Sequence, residues 1–280
     1  MFLGNSITYA GGYITDIEAC YTLWHPEQTT VFINEGLPSE TVSGLSEPGH
    51  ADGKFPRPDL HERLHRVLER IKPDIVFACY GMNDGIYMPF NETRFEQYKT
   101  GMNWLHDTLV KTGARVIILT PPVYDEARGS AKGYAAVLDK YADWLLAQQK
   151  NGWEIVDIHY PMKKYLTAHR TVDADFGIKG FFLAADGIHP GAAGHWLMAK
   201  QILLYLGEKK VTGCPDIQAA MATHRQGDAI LKRIEEKQAL MKDAWLSTTG
   251  HKRPGMKTGL PLNEALSRSA AIDNQIKALL

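Results

Sequence analysis

Apolar runs alternate with amphipathic stretches over residues 1–206. Short runs rich in aliphatic and β-branched residues predict strands at 30–34, 74–80, 115–120 and 154–158. Met1, Phe2 and Leu3 form one more such run, which breaks at Gly4. Between the runs, apolar residues recur at helical spacing over 58–71, 94–112 and 132–150. A further helix is predicted from Pro190, a residue suited to a first helical turn, to Leu206, with Trp196, Leu197, Ile202 and Leu203 among its apolar positions. Strands alternating with helices predict an α/β fold: a mostly parallel sheet between two helical layers. In such sheets ligands bind beyond the carboxyl ends of the strands.

After Gly207 the pattern changes. Glu208-Lys209-Lys210 and Gly213-Cys214-Pro215 read as a connector. Residues 217–245, rich in Ala, Lys, Glu and Gln, predict one long helix. A loop with Gly250, Pro254, Gly255 and Pro261 then leads to a last helix over 262–279. The organisation expected is a main α/β domain over 1–210, with a C-terminal helical extension over 211–280 packed on it.

A chain of 280 residues accommodates that domain and its appendage. The formal net charge of −1 provides no broad basic field, which argues against nucleic acid or an anionic membrane as partner. No apolar run approaches the roughly 18 residues that span a bilayer. A small-molecule or carbohydrate ligand of little charge fits this balance better. Cys20, Cys79 and Cys214 are odd in number and widely spaced, as expected of inert buried thiols and not of a disulfide framework or metal knuckle. Only three residues precede Gly4, fewer than the roughly five of an ordinary strand. Further sequence upstream of Met1, able to carry an export signal, is therefore expected. Asn91-Glu92-Thr93 matches a glycosylation acceptor but carries little weight without such a signal.

Four short segments carry the chemistry: Gly4-Asn5-Ser6-Ile7-Thr8, Asn34-Glu35-Gly36, Gly81-Met82-Asn83-Asp84 and Asp186-Gly187-Ile188-His189-Pro190. Each alone reads as an ordinary turn. Together they place a serine, a glycine, an asparagine and a histidine, the last with a carboxylate three positions before it, in separate loops that follow strands. A serine hydroxyl is a poor nucleophile until an adjacent base, itself oriented by a third group, takes its proton. The set resembles the SGNH superfamily of hydrolases, the GDSL esterases, over residues 2–206. The resemblance implies a flavodoxin-like three-layer fold, no cofactor and no metal, and a covalent acyl-enzyme. It implies Ser6 as nucleophile, His189 as general base and acid, and Asp186 as its partner. The oxyanion would be held by the backbone N–H groups of Ser6 and Gly36 and by the Asn83 side chain. Position 5 is Asn where the family more often has Asp, and the extension lies outside the resemblance.

Specificity is expected from loops at the same edge, over 85–93, 121–134 and 173–185. They supply Tyr87, Phe90, Tyr124, Tyr134, Phe176, Phe181 and Phe182. Candidate substrate contacts are Asn5, Asp84, Tyr87 and Tyr124, joined by His251 and Arg253 from the loop 247–261. Mixed aromatic and polar groups suit a sugar ring, and no long apolar lid offers room for a fatty chain. The function expected is a serine esterase removing short acyl groups, above all acetyl, from a carbohydrate. A lysophospholipase, thioesterase or general carboxylesterase would share the mechanism. Two other classes compete with this one. His61-Glu62-Arg63-Leu64-His65 matches H-E-x-x-H of zinc peptidases, but its helix reads as an ordinary crossover with no third ligand in view. A non-catalytic binding module is the other, disfavoured because the reacting set is complete.

Overall fold

The computed structural model describes residues 1–175 and 180–280. Its sheet has five parallel strands in the order β2-β1-β3-β4-β5: β1 (Phe2–Gly4), β2 (Asn34–Gly36), β3 (Ile75–Cys79), β4 (Arg115–Leu119) and β5 (Glu154–Val156). The α/β class and the three-layer parallel arrangement are those expected. From β1 the chain first winds outward to β2, then crosses back to place β3 on the other side of β1. That reversal opens a crevice beyond the ends of β1 and β3, the topological switch point. Gly4 pairs with both Gly36 and Cys79, so the segments leaving these three strands start side by side.

The interior strands follow hydrophobicity: Val76, Phe77, Ala78 and Cys79 of β3, and Val116 to Leu119 of β4, are all buried. β2 does not follow it. The apolar run 30–34 suggested its position, yet Val31 is 67 % exposed and the strand begins only at Asn34. Asn34 and Glu35 are buried instead, because their side chains have internal partners.

The helices are α1 (Ser6–Ala10), α2 (Gly12–Trp24), α3 (Leu64–Ile71), α4 (Glu92–Val110), α5 (Tyr134–Ala147), α6 (His159–Asp175), α7 (Ala192–Tyr205), α8 (Ile217–Met221), α9 (Gly227–Thr249) and α10 (Leu262–Leu279). α1, α2 and α6 had no counterpart in the sequence pattern. Gly11-Gly12 punctuates the first two and hid the buried series Tyr13, Ile14, Ile17 and Cys20. The helix expected over 58–71 is a 3₁₀ turn (Leu60–Glu62) followed by α3, with Arg63 at the joint. Asn91 of the glycosylation-like triplet caps α4, its Oδ1 accepting from Arg94 N at 3.0 Å.

The single helix expected over 217–245 is two, α8 and α9. The break is steric: a Cβ on Gly227 would lie 2.0 Å from the Met221 carbonyl oxygen, so the chain turns through His224 at close quarters. α9 lies against α2 and β2. Lys237 pairs with Glu18 at 2.5 Å, and Gln238 hydrogen-bonds both Glu18 and the Phe32 carbonyl. α10 lies on α9 through Met241, Ala244 and Ala265. No helix among the described residues is long and apolar enough to cross a membrane.

Asp16 of α2 is buried, and burial with the nearby Glu235 charge pushes its carboxyl from 3.8 up to about 7. The folded chain therefore keeps a proton that the unfolded chain has released, and stability falls as pH rises between those two values. Asp16→Asn should make the decline of the melting temperature between pH 5 and pH 8 shallower and raise stability at pH 8. A wild-type slope in the variant would show that Asp16 titrates normally.

Candidate active site

Ser6 opens α1 two residues beyond the end of β1. Asn5 caps the helix, its Oδ1 accepting from Ile7 N at 3.0 Å. With Asn5 only 2 % exposed, its side chain serves the turn and does not face a substrate. His189 arrives from a hairpin-like return: Ala184 bridges Pro190, and Gly191 N donates to Leu183 O at 2.7 Å. Its Nε2 lies 2.9 Å from Ser6 Oγ and its Nδ1 lies 2.6 Å from Asp186 Oδ2. Asp186 Oδ1 also accepts from the backbone N–H groups of Ile188 at 2.9 Å and His189 at 2.8 Å. Partial burial works to raise the Asp186 carboxyl, but these hydrogen bonds outweigh it and hold the group at about 2. An ionised Asp186 accepts the Nδ1 proton and leaves the Nε2 lone pair for the serine. The structure thus joins Ser6, His189 and Asp186 in one relay. The site is open: the His189 and Asp186 side chains are 47 % and 53 % exposed.

Gly36 is placed differently from expectation. Its N–H donates to Asn34 Oδ1 at 2.9 Å, and a Cβ there would lie 2.1 Å from Tyr9 N. The glycine is needed so that β2 can pass against α1, and its amide is already committed. The turn that follows β2, and not Gly36, is what meets Asn83. Asn83 Nδ2 donates to Glu40 O at 3.1 Å, and Tyr87 OH donates to Asn83 Oδ1 at 3.0 Å. Asn83 thereby lies against Glu40 with one Nδ2 hydrogen unspent. Ser39 N–H has no acceptor among the described residues. Residues 37–40 form a tight turn, with Glu40 N donating to Leu37 O at 3.2 Å, and Leu37 N ties the turn to Gly4 O. Ser39 holds φ +69°, an unusual value for a residue with a Cβ.

Beneath that turn lies a buried charge network absent from the sequence reading. Arg63, fully buried, grips Glu40 with two nitrogens, Nε–Oε1 at 2.6 Å and Nη2–Oε2 at 2.9 Å. Its Nη1 donates to Glu35 Oε2 at 2.8 Å and its Nη2 to Glu35 O at 2.7 Å. Tyr80 OH donates to Glu40 Oε2 at 2.6 Å, and Thr249 Oγ1 of α9 lies 3.2 Å from each Glu35 oxygen. Burial pushes the Glu35 carboxyl up to about 7 against the pull of Arg63. Along the sequence Arg63 stands among Glu62, Arg66, Glu69 and Arg70, company that suits a solvated flank. It follows Leu60 by three and precedes Val67 by four, so the apolar spacing itself put it on the inner face.

The other candidate contacts divide. Asp84 is fully buried and accepts from Val42 N, Ser43 N and Gly81 N at 2.8–2.9 Å, an anchor for two loops and not a ligand contact. Tyr124 is buried, its oxygen accepting from Ala131 N at 2.7 Å. Tyr134, also buried, donates to Met82 O and accepts from Gly85 N, fixing the Asn83 loop from behind. Tyr87 orients Asn83. Arg253 Nε donates to Pro38 O at 2.9 Å, and His251 is half-buried with no partner for Nδ1 among the described residues. Phe182 is 42 % exposed beside the His189 return, with Arg128 4.5 Å over its ring. Phe176 lies outside the described residues. His61 of the H-E-x-x-H pattern pairs with Asp59 at 2.6 Å and stacks on Trp104, and the Arg63 joint separates it from the helix that carries His65. No group of three or more metal-type ligands occurs among the described residues.

The sequence model of the GDSL-like lipase/acylhydrolase family matches residues 2–197. Among solved structures, an alpha/beta hydrolase from the metagenome of Lake Arreo, Spain, is 25% identical with a TM-score of 0.56, over 74% of this chain and 94% of that one. An acetylxylan esterase from Geobacillus stearothermophilus shares the fold at 20% identity and TM-score 0.56, over 74% and 92% of the two chains. A gut microbial diltiazem-metabolizing enzyme shares it at 21% identity and TM-score 0.56, over 74% of this chain and 46% of its own. No curated protein matches the chain.

Removing one partner of a buried ion pair leaves an uncompensated charge, at a cost of about 3–5 kcal/mol. Arg63→Met, which would strand two buried carboxylates, should lower the unfolding free energy in urea by about that amount. A loss below about 1 kcal/mol, the scale of an exposed pair, would mean that the network is not a structural centre.

Proposed function

We propose that this chain, which belongs to the GDSL-like lipase/acylhydrolase family, removes short acyl groups, acetyl above all, from hydroxyls of a carbohydrate. The chain is a hydrolase of carboxylic esters. The observation that carries the proposed mechanism is the relay from Ser6 Oγ through His189 to Asp186. Ser6 Oγ attacks the ester carbonyl while His189 Nε2 takes its proton, forming the C–O bond of a tetrahedral adduct. The oxyanion is met by Ser6 N–H, the unspent Asn83 Nδ2 hydrogen and Ser39 N–H, the Gly36 amide being committed to Asn34. Collapse breaks the bond to the alcohol, which leaves with the proton from His189. Water, deprotonated by the same imidazole, then releases the carboxylic acid and restores Ser6.

Two features support the short acyl group and the polar alcohol. A relay whose histidine and aspartate are about half exposed admits a bulky alcohol from solvent. Exposed Phe182 beside the His189 return, with Arg128 over its ring, suits the face of a sugar. The fold is also that of an enzyme named for acetylxylan, which makes an acetylated sugar the first ester to try.

Ser6→Ala and His189→Ala should each reduce kcat on p-nitrophenyl acetate by about 10⁴-fold or more, and Asn83→Ala by about 10²–10³-fold. Turnover surviving Ser6→Ala would remove the serine mechanism. Acetyl should be hydrolysed faster than octanoyl, with acetate released from acetylated xylo-oligosaccharides. Octanoyl turnover equal to or above acetyl would point to the lysophospholipase or thioesterase type instead.

A further inference from the structure

We infer that Arg253, beyond the family match, is a positioning residue that locks the peptide between Pro38 and Ser39 with the Ser39 N–H turned to the oxyanion; this rests on the esterase mechanism above. The turn over residues 37–40 has Pro38 second, Ser39 third with φ +69°, and the closing bond from Glu40 N to Leu37 O. Those are the marks of a type II turn, whose third position favours glycine or asparagine. A serine there would be better served by a type I turn, which has negative φ at that position. The two types differ by a flip of the central peptide, which here is the one joining Pro38 to Ser39. That flip would relieve Ser39 and swing its N–H to the opposite side.

Arg253 opposes the flip. Its Nε–H donates to Pro38 O at 2.9 Å, the carbonyl of that same peptide. The described chain contains no cis peptide, so this carbonyl and the Ser39 N–H point in opposite directions. Holding one therefore aims the other. The guanidinium is itself held: it lies 5.2 Å over the Phe55 ring, and its Nη1 donates to Pro254 O at 3.0 Å and contacts Met256 Sδ at 3.2 Å. It forms no ion pair among the described residues, and two of its hydrogen bonds go to backbone carbonyls, Pro38 O of the turn and Pro254 O of its own loop. Its loop is anchored where Arg66 donates to the Thr249 and Gly250 carbonyls at 3.2 Å each. An arginine from the extension thus does for Ser39 what a glycine would do without help.

The test is a rescue. Arg253→Met should lower kcat on p-nitrophenyl acetate about tenfold to a hundredfold, below the full loss of a donor, with KM within about twofold and the urea midpoint nearly unchanged. Adding Ser39→Gly should restore most of kcat, because glycine holds the type II turn without the arginine. Unchanged kcat in Arg253→Met, or no recovery in the double variant, would overturn the inference. A raised KM at constant kcat would overturn it too, placing Arg253 against the substrate. Should the methionine variant not fold, Arg253→Gln, too short to reach Pro38 O, takes its place with the same expectations. Ser6→Ala separates the two levels: loss of turnover there with normal kcat in Arg253→Met sinks this inference alone, whereas turnover surviving Ser6→Ala sinks the mechanism under it.

Discussion

The Arg63 guanidinium, buried between two glutamates, is the interaction on which the site's geometry rests. It binds Glu35 at the middle of β2 and Glu40 at the end of the following turn, so strand and turn cannot shift independently. Tyr80 connects the Glu40 carboxylate to the segment leaving β3, and Thr249 connects the Glu35 carboxylate to α9. A guanidinium suits this place because its planar fork binds Glu40 in bidentate fashion while a third nitrogen reaches Glu35. Two carboxylates against one cation leave a surplus negative charge in a dry interior. Burial raises both glutamates, and Arg63 pulls against that rise through its hydrogen bonds to each.

The two halves of the site are built on different terms. Asp186 and His189 lie within one short turn, and the carboxylate is fixed by backbone N–H groups of that turn. This half is exposed and local, and it needs only to be brought to Ser6. The oxyanion half is assembled from β1, the turn after β2 and the loop after β3, and it is buried. Asp84 joins the Gly81 amide to Val42 and Ser43, Tyr134 supports the loop at Met82 and Gly85, and Tyr87 sets the Asn83 amide. Preorganised donors act without reorganising when charge develops, which explains why so many buried polar groups gather on this side.

That difference explains what could be read from residues alone. Strands β3, β4 and β5 follow hydrophobic runs, and the relay residues stand in compact local motifs, so both were legible. β2 was misplaced because its buried residues are Asn34 and Glu35, while the apolar Val31 just before it is exposed. Gly36 was assigned a donor role because a bare backbone permits close approach. The approach exists, but toward α1 and not toward a substrate. Arg63 had the inward spacing, yet its charge argued for solvent, and its partners lie 23 and 28 residues away where no local pattern marks them. Ser39 had no signal at all, since nothing in its identity announces a positive φ.

The extension, outside the family match, follows from a problem posed by β2. A strand of three residues at the edge of a parallel sheet has one unpaired side and little pairing of its own. Its polar residues offer no apolar surface by which a helix would ordinarily cover it. α9 meets it with polar contacts instead: Gln238 to the Phe32 carbonyl ahead of the strand and Thr249 to Glu35 within it. It also reaches α1, where Tyr9 OH donates to Asp243 at 2.9 Å and Lys242 donates to Tyr9 O at 3.2 Å. The helix that carries Ser6 and the strand that leads to Ser39 are thus both held by α9. The polar edge of β2 is thus covered by polar partners that come from outside the family match.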